Sequence, residues 1–117
     1  IATKYTNCYF YNSAGVFNIS SELGAINFNV NKKVETLNIN GSGTEINLNY
    51  KSPLEKNINL SNLHGELFID NSIIRNIKFK IQDTRELNNS RKEFIYTNPK
   101  IQSTITVKNK FANISIQ

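Results

Sequence analysis

The sequence predicts an all-β protein, mainly because apolar residues alternate within a repeat of about twenty residues. The first set of alternating pairs is Phe17/Ile19, Leu37/Ile39, Ile58/Leu60 and Ile77/Phe79, and the second, which falls between them, is Ile26/Phe28, Ile46/Leu48 and Leu67/Ile69. Alternation with a period of two places one face of a strand in a core and the other in water. Each repeat unit is therefore predicted to contain two short strands and two turns, and no stretch shows the 3.6-residue period of a helix.

The predicted strands follow this alternation through the repeat region, about residues 15–81. They cover residues 16–20, 25–30, 34–39, 44–50, 57–61, 65–70 and 73–81. A strand at residues 5–11 is predicted before the repeat from its aromatic content. The clearest turn is Asn40-Gly41-Ser42-Gly43. Asn-Gly between alternating segments is a strong signal for a β-hairpin, since both residues tolerate the positive φ angles of a tight turn.

The repeat is lost after residue 81. Residues 82–93 have no sustained periodicity and are predicted to form an exposed loop, with a short helical turn at 83–87 as an option. Strands resume at 94–97, 101–108 and 111–116.

Two architectures are compatible with one domain over residues 1–117. In a β-solenoid, equivalent strands stack in parallel and Asn side chains can form ladders; the near-equal spacing of the strands favours this architecture. In stacked hairpins, a β-sandwich or a jellyroll, successive strands pair antiparallel, which the Asn-Gly turn favours. A repeat core with antiparallel C-terminal strands (94–117) would combine the two.

The net charge of +5 is uneven along the chain. Residues 1–70 carry −1 and residues 71–117 carry +6. This asymmetry is compatible with an anionic partner for the C-terminal half and equally with a solvated basic face that only aids solubility. The predicted anion-binding patch is Arg75, Lys78, Lys80, Arg91 and Lys92. The expected partner is a protein or an anionic envelope polymer, with peripheral membrane association as an option. Nucleic acid is not expected, because no signature of a nucleic-acid-binding module is present, and the cluster of Tyr5, Tyr9 and Tyr11 is as well explained as a cap on one end of the core.

Residues that commonly carry catalysis or bind metals are sparse, so no catalytic, cofactor-binding or metal site is predicted. Cys8 is the only cysteine and His64 the only histidine; the first is expected to pack as a small apolar residue and the second to be an ordinary turn residue. Glu45 and Glu66 should occupy neighbouring equivalent positions on a twenty-residue repeat, and exposed turn charges explain them more simply than a cation site. The chain is therefore not expected to be an enzyme.

One stretch resembles a known family. From Gly43 to Asp70 the chain reads GTEINLNYKSPLEKNINLSNLHGELFID, with a Gly-opened strand, a Pro-containing turn, a second strand, a polar turn with Gly and a strand that ends in Asp. This layout resembles the bacterial putative-adhesin, or toast-rack, repeat domains, and the resemblance covers about residues 15–81. The usual Gly-Asp pair of that family is replaced here by Gly43-Thr44 and Gly65-Glu66.

The resemblance implies stacked β rungs and an envelope or extracellular interaction role, with no catalytic residues to carry over. The expected function is thus a noncatalytic interaction or structural module of bacterial or phage origin. The alternative is an envelope jellyroll that carries lipid or binds a partner by strand addition, and the third reading is an enzyme or a nucleic-acid binder. The chain does not begin with Met, which is interpreted as a processed or truncated piece from which a signal peptide could have been removed.

Overall fold

The protein is all-β. The computed structural model describes residues 1–11, 14–50, 56–70, 81–83 (backbone only) and 91–117. The nine strands in these ranges are β1 (Ala2–Phe10), β2 (Gly15–Val30), β3 (Val34–Tyr50), β4 (Asn57–Leu63), β5 (Leu67–Ile69), β6 (Ile81–Asp83), β7 (Arg91–Tyr96), β8 (Thr104–Lys110) and β9 (Ile114–Ile116). The predicted strand at 73–81 lies outside the described residues except for Ile81.

Parallel stacking of long, bent strands organises the molecule. β1 pairs with β2 in parallel, and β2 pairs with β3 in parallel. The β2–β3 register joins residues twenty apart, such as Ile19 with Ile39, and the β1–β2 register joins residues eighteen apart, such as Cys8 with Ile26. Each of these strands therefore forms one rung of a β-solenoid, and the sequence repeat is the rung spacing between β2 and β3.

The rungs do not stack in chain order. β8 and β9 form a rung that lies between β3 on one side and β4 with β5 on the other, and all of these pairings are parallel. We number the rungs along the stack: rung 1 is β1, rung 2 is β2, rung 3 is β3, rung 4 is β8 with β9, and rung 5 is β4 with β5. The prediction that Glu45 and Glu66 are neighbours is therefore wrong, because Asn113 of rung 4 separates them; its side chain accepts a hydrogen bond from the Glu66 amide at 3.1 Å.

Each rung has a residue in the left-handed region at its bend. The registers align Tyr5, Leu23, Gly43, Phe111 and His64 in a single column. The φ angles in this column are 55°, 53°, 63°, 62° and 57°. We call this column the corner; it divides every rung into a first arm before it and a second arm after it.

The predicted hairpin at Asn40-Gly41 is wrong. β3 runs unbroken from Val34 to Tyr50 and pairs only in parallel, with β2, β8 and β9. Its two arms bond to neighbouring rungs and not to each other, so the bend is an arch. Glycine is needed at position 41 for a steric reason. A Cβ atom there would lie 2.4 Å from the side-chain oxygen of Asn109.

The two arms enclose an apolar core. Ile19 and Leu37 of the first arm, and Ile26 and Phe28 of the second, are at most 1% exposed. The ring of Phe28 lies 5.3 Å from that of Phe17 across the arms and 5.2 Å from that of Phe10 in rung 1. The inward positions predicted from the alternation are confirmed here.

Asparagine ladders run along the outer faces, as expected for a solenoid. The side-chain amides of Asn38, Asn47 and Asn49 donate to the side-chain oxygens of Asn18, Asn27 and Asn29, at 2.9, 3.1 and 2.9 Å. Each bond joins residues one rung apart, so these outward polar positions add cross-rung bonds to the backbone ladder.

Antiparallel strands extend the first arm beyond rung 5. β7 pairs antiparallel with β4, and β6 pairs antiparallel with β7. Antiparallel pairing in the C-terminal part is thus confirmed for β7, whereas β8 and β9 are parallel to their neighbours. Strands β6 and β7 also shorten the predicted loop 82–93, since they include residues 82–83 and 91–93; residues 84–90, and with them most of the optional helical turn, lie outside the described ranges.

Candidate anion-binding groove

Strand β8 brings two lysines to the outer face of rung 4. Lys108 and Lys110 are exposed, whereas Val107 and Asn109 on either side of Lys108 are buried. The alternation of β8 therefore sends both ammonium groups to the same side, with Cα atoms about 7 Å apart.

Small polar residues of the adjacent rungs surround these lysines. Lys108 lies opposite Asn40 of rung 3 and Ser61 of rung 5, and Lys110 lies opposite Leu63. Together they line a surface depression of about 320 Å³. Its lining residues are Asn40, Gly41, Ser61, Leu63, Arg91, Lys108, Asn109 and Lys110.

The depression continues along the stack toward rung 1. A second concavity shares Asn40, Gly41 and Lys110 with the first and adds six residues of rungs 1 to 3. Those additional residues are Ala2, Thr3, Ser20, Ser21, Glu22 and Ser42. The two form one shallow groove that crosses five rungs, a distance of about 19 Å at the usual strand spacing. We refer to it as the groove.

Charge pairing leaves the two β8 lysines uncompensated. Within the described ranges, neither Lys108 nor Lys110 forms an ion pair or a side-chain hydrogen bond. The other cations near the groove are paired: Lys4 lies 3.8 Å from Glu22, and Arg91 lies 3.8 Å from Glu93. The positive potential of the groove is therefore concentrated at rung 4, where an anion would gain most.

The polar residues beneath the groove fix the backbone of the corner. Asn62 is fully buried, and its amide donates to the carbonyl oxygens of Glu66 and Ala112, both at 2.7 Å. The Asn109 amide donates to the carbonyl of Thr44 at 2.7 Å. These bonds tie rungs 3, 4 and 5 together beneath Lys108 and Lys110. Within the described residues, the side-chain oxygens of Asn62 and Asn109 are buried without a hydrogen-bond partner.

The structure divides the predicted anion patch. Arg75, Lys78 and Lys80 lie outside the described residues. Arg91 lines the groove. Lys92, the next residue, is directed elsewhere, since its ammonium bonds the Glu66 carboxylate at 2.5 Å.

Sequence reasoning missed Lys108 and Lys110. Their alternation with Val107 and Asn109 in the basic C-terminal half was the available signal. It did not reveal that β8 lies at the centre of the stack, where both lysines enter the groove.

The remaining sequence candidates occupy structural positions. His64 is exposed at the corner, and its ring stacks on Phe111 at 5.5 Å. Cys8 is half-buried and aligns with the core residue Ile26. Within the described ranges, no three His, Cys, Asp or Glu side chains are grouped closely enough to hold a metal ion. The same part of the chain contains no helix long and apolar enough to cross a membrane.

Comparisons with protein families, with curated proteins and with solved structures found no match for this chain.

Proposed function

We propose that this protein is a noncatalytic interaction module that binds an anionic polymer in the groove. The observation that carries the proposal is the pair of uncompensated lysines, Lys108 and Lys110, set side by side in a concavity of small polar residues. Two adjacent ammonium groups attract an anion more strongly than either does alone. An extended groove suits a linear chain better than a compact ligand.

The use of the repeat supports a noncatalytic role. Inward positions pack the core, outward Asn residues form ladders, and the buried polar residues beneath the groove bond backbone carbonyls. A fold in which both faces of the strands have structural roles presents an extended surface and not a pocket, as stacked repeats usually do.

A lipid carrier is less well supported. It would need a dry cavity lined by Ile and Phe, but Phe17 and Phe28 meet across the arms at a ring distance of 5.3 Å. Strand addition stays open as an alternative, because β1 is the terminal strand in the described sheet order.

The proposed location is the cell envelope or the extracellular space. The resemblance of Gly43 to Asp70 to toast-rack repeat domains suggests it. Polyanions with which a groove of this charge would associate are abundant there.

Retention on immobilised heparin at low salt tests the proposal, with Lys108→Glu/Lys110→Glu as the critical variant. The wild type is expected to be retained and to elute as salt rises, since contacts to a polyanion release counterions. The variant should elute in the flow-through.

The matched control is Lys33→Glu/Lys100→Glu, which changes the net charge equally at two exposed lysines outside the groove. It should keep most of the retention. Equal loss in both variants would show that net charge alone drives binding, and unchanged retention of Lys108→Glu/Lys110→Glu would exclude the groove.

A further inference from the structure

We propose that the polymer in the groove is an anionic polysaccharide, and that the side chains of the corner form the wall that recognises its sugar rings. This inference rests on the proposed function and adds the ligand class. It is carried by four bulky side chains in the corner column: Tyr5, Leu23, Phe111 and His64. We call these four residues the corner ridge.

The corner ridge keeps bulky side chains where the backbone disfavours them. All four residues have φ between 53° and 62°. Bulky residues are rare in this region, whereas Gly and Asn enter it readily, and the chain is rich in Asn. Strained positions of this kind concentrate at sites of recognition, where the side chain has a use that compensates the strain.

The ridge is exposed and nearly continuous. Tyr5 is 71% exposed, Phe111 63% and Leu23 40%. A Cβ on Gly43 would lie 2.5 Å from the Leu23 side chain, so Leu23 leans over the one position that lacks a side chain. Aromatic and aliphatic surface is therefore presented along the whole corner.

The ridge borders the groove on its basic side. Lys110 and Leu63 line the groove and directly precede Phe111 and His64 in the chain. A ligand that lies in the groove thus meets ammonium groups from its floor and rings from its wall. A sugar offers C–H faces to the rings while its carboxylate or sulfate groups meet the lysines, and a polyphosphate offers only the second contact.

Charge on the other side of the ridge argues for a polymer over a membrane surface. Glu45 and Glu66 are exposed there, one rung to either side of Asn113, and within the described residues only Glu66 is paired, with Lys92. If the ridge were inserted into a flat anionic bilayer, the lipid headgroups would contact these carboxylates as well as the lysines. A linear polymer in the groove lies on the lysine side of the ridge, where the lining carboxylate of Glu22 is paired with Lys4 at 3.8 Å.

The test compares binding of three polyanions by isothermal titration calorimetry: heparin, inorganic polyphosphate and single-stranded DNA. Phe111→Asn/His64→Asn is the critical variant, since Asn tolerates the left-handed backbone. It should weaken heparin binding about tenfold and leave polyphosphate binding unchanged, because only heparin loses contacts to the rings. Phe68→Asn, which removes an exposed aromatic residue of the second arm, is the control and should change neither.

Unchanged heparin affinity in Phe111→Asn/His64→Asn, or an equal loss for polyphosphate, would overturn the role of the ridge while the groove still binds anions. DNA binding as tight as heparin binding and equally sensitive to the ridge variant would overturn the assignment to a polysaccharide. Failure of the proposed function has a different signature: the wild type would bind neither heparin nor polyphosphate.

Discussion

At the scale of single residues, the corner is where the chain departs most from local preference. A non-glycine residue in the left-handed region costs roughly 1–2 kcal/mol, and Tyr5, Leu23, His64 and Phe111 all adopt it. Stacking of the Phe111 and His64 rings offsets part of this free-energy cost. The parallel ladders on both sides of the corner hold the bend in place.

Phe111→Asn should therefore stabilise the fold, raising the free energy of unfolding by up to about 1 kcal/mol. Urea denaturation measures it. Phe68→Asn, within strand β5, should instead lower the free energy by about 0.5–1 kcal/mol, because Asn is disfavoured in strands. If Phe111→Asn destabilised the protein more than Phe68→Asn, the corner residue would not be strained.

At the scale of elements, buried asparagines connect the rungs across the bend. Asn62 shares its amide between the carbonyls of Glu66 in its own rung and Ala112 in the next. Backbone carbonyls left unpaired in the interior are costly. The Asn62 side chain is therefore a structural part of the corner and not merely a turn residue.

Asn62→Leu is expected to lower the free energy of unfolding by about 1–3 kcal/mol, since the Ala112 carbonyl loses its donor while the Glu66 carbonyl keeps only the backbone amide of Ile114. Thermal unfolding followed by circular dichroism measures the loss. Asn59→Leu, at an exposed position of the same strand, should change stability by no more than about 0.5 kcal/mol. Similar melting of the two variants would contradict the role given to Asn62.

Local patterns of the sequence predict the strands but not their order. Alternation identified the inward residues of rungs 2, 3 and 5, because the alternation of side chains between the two faces is a property of the strand itself. The Asn-Gly hairpin prediction failed because the two arms of β3 pair with neighbouring rungs and not with each other. Nothing local in residues 104–116 indicates that they enter between rungs 3 and 5, since that placement depends on contacts more than forty residues apart.

At the scale of the whole molecule, the position of rung 4 creates the groove. Lys108 and Lys110 face small polar residues because rung 4 lies between Asn40 of rung 3 and Ser61 of rung 5. Stacking in chain order would place rung 5 beside rung 3 and move both lysines elsewhere. The proposed function and its ligand therefore both depend on the insertion of rung 4.

Disulfide trapping tests this insertion most directly, using outward positions of one column in a Cys8→Ser background. Asn38 pairs with Thr106, and Thr106 pairs with Asn59. Adjacent parallel strands place paired Cα atoms about 4.8 Å apart, within reach of a disulfide, whereas two rungs separate them by about 9.6 Å. Under mild oxidation, Asn38→Cys/Thr106→Cys and Asn59→Cys/Thr106→Cys should each form an intramolecular disulfide, and Asn38→Cys/Asn59→Cys should not. A disulfide in that last variant, with none to position 106, would contradict the account and place rung 5 directly beside rung 3.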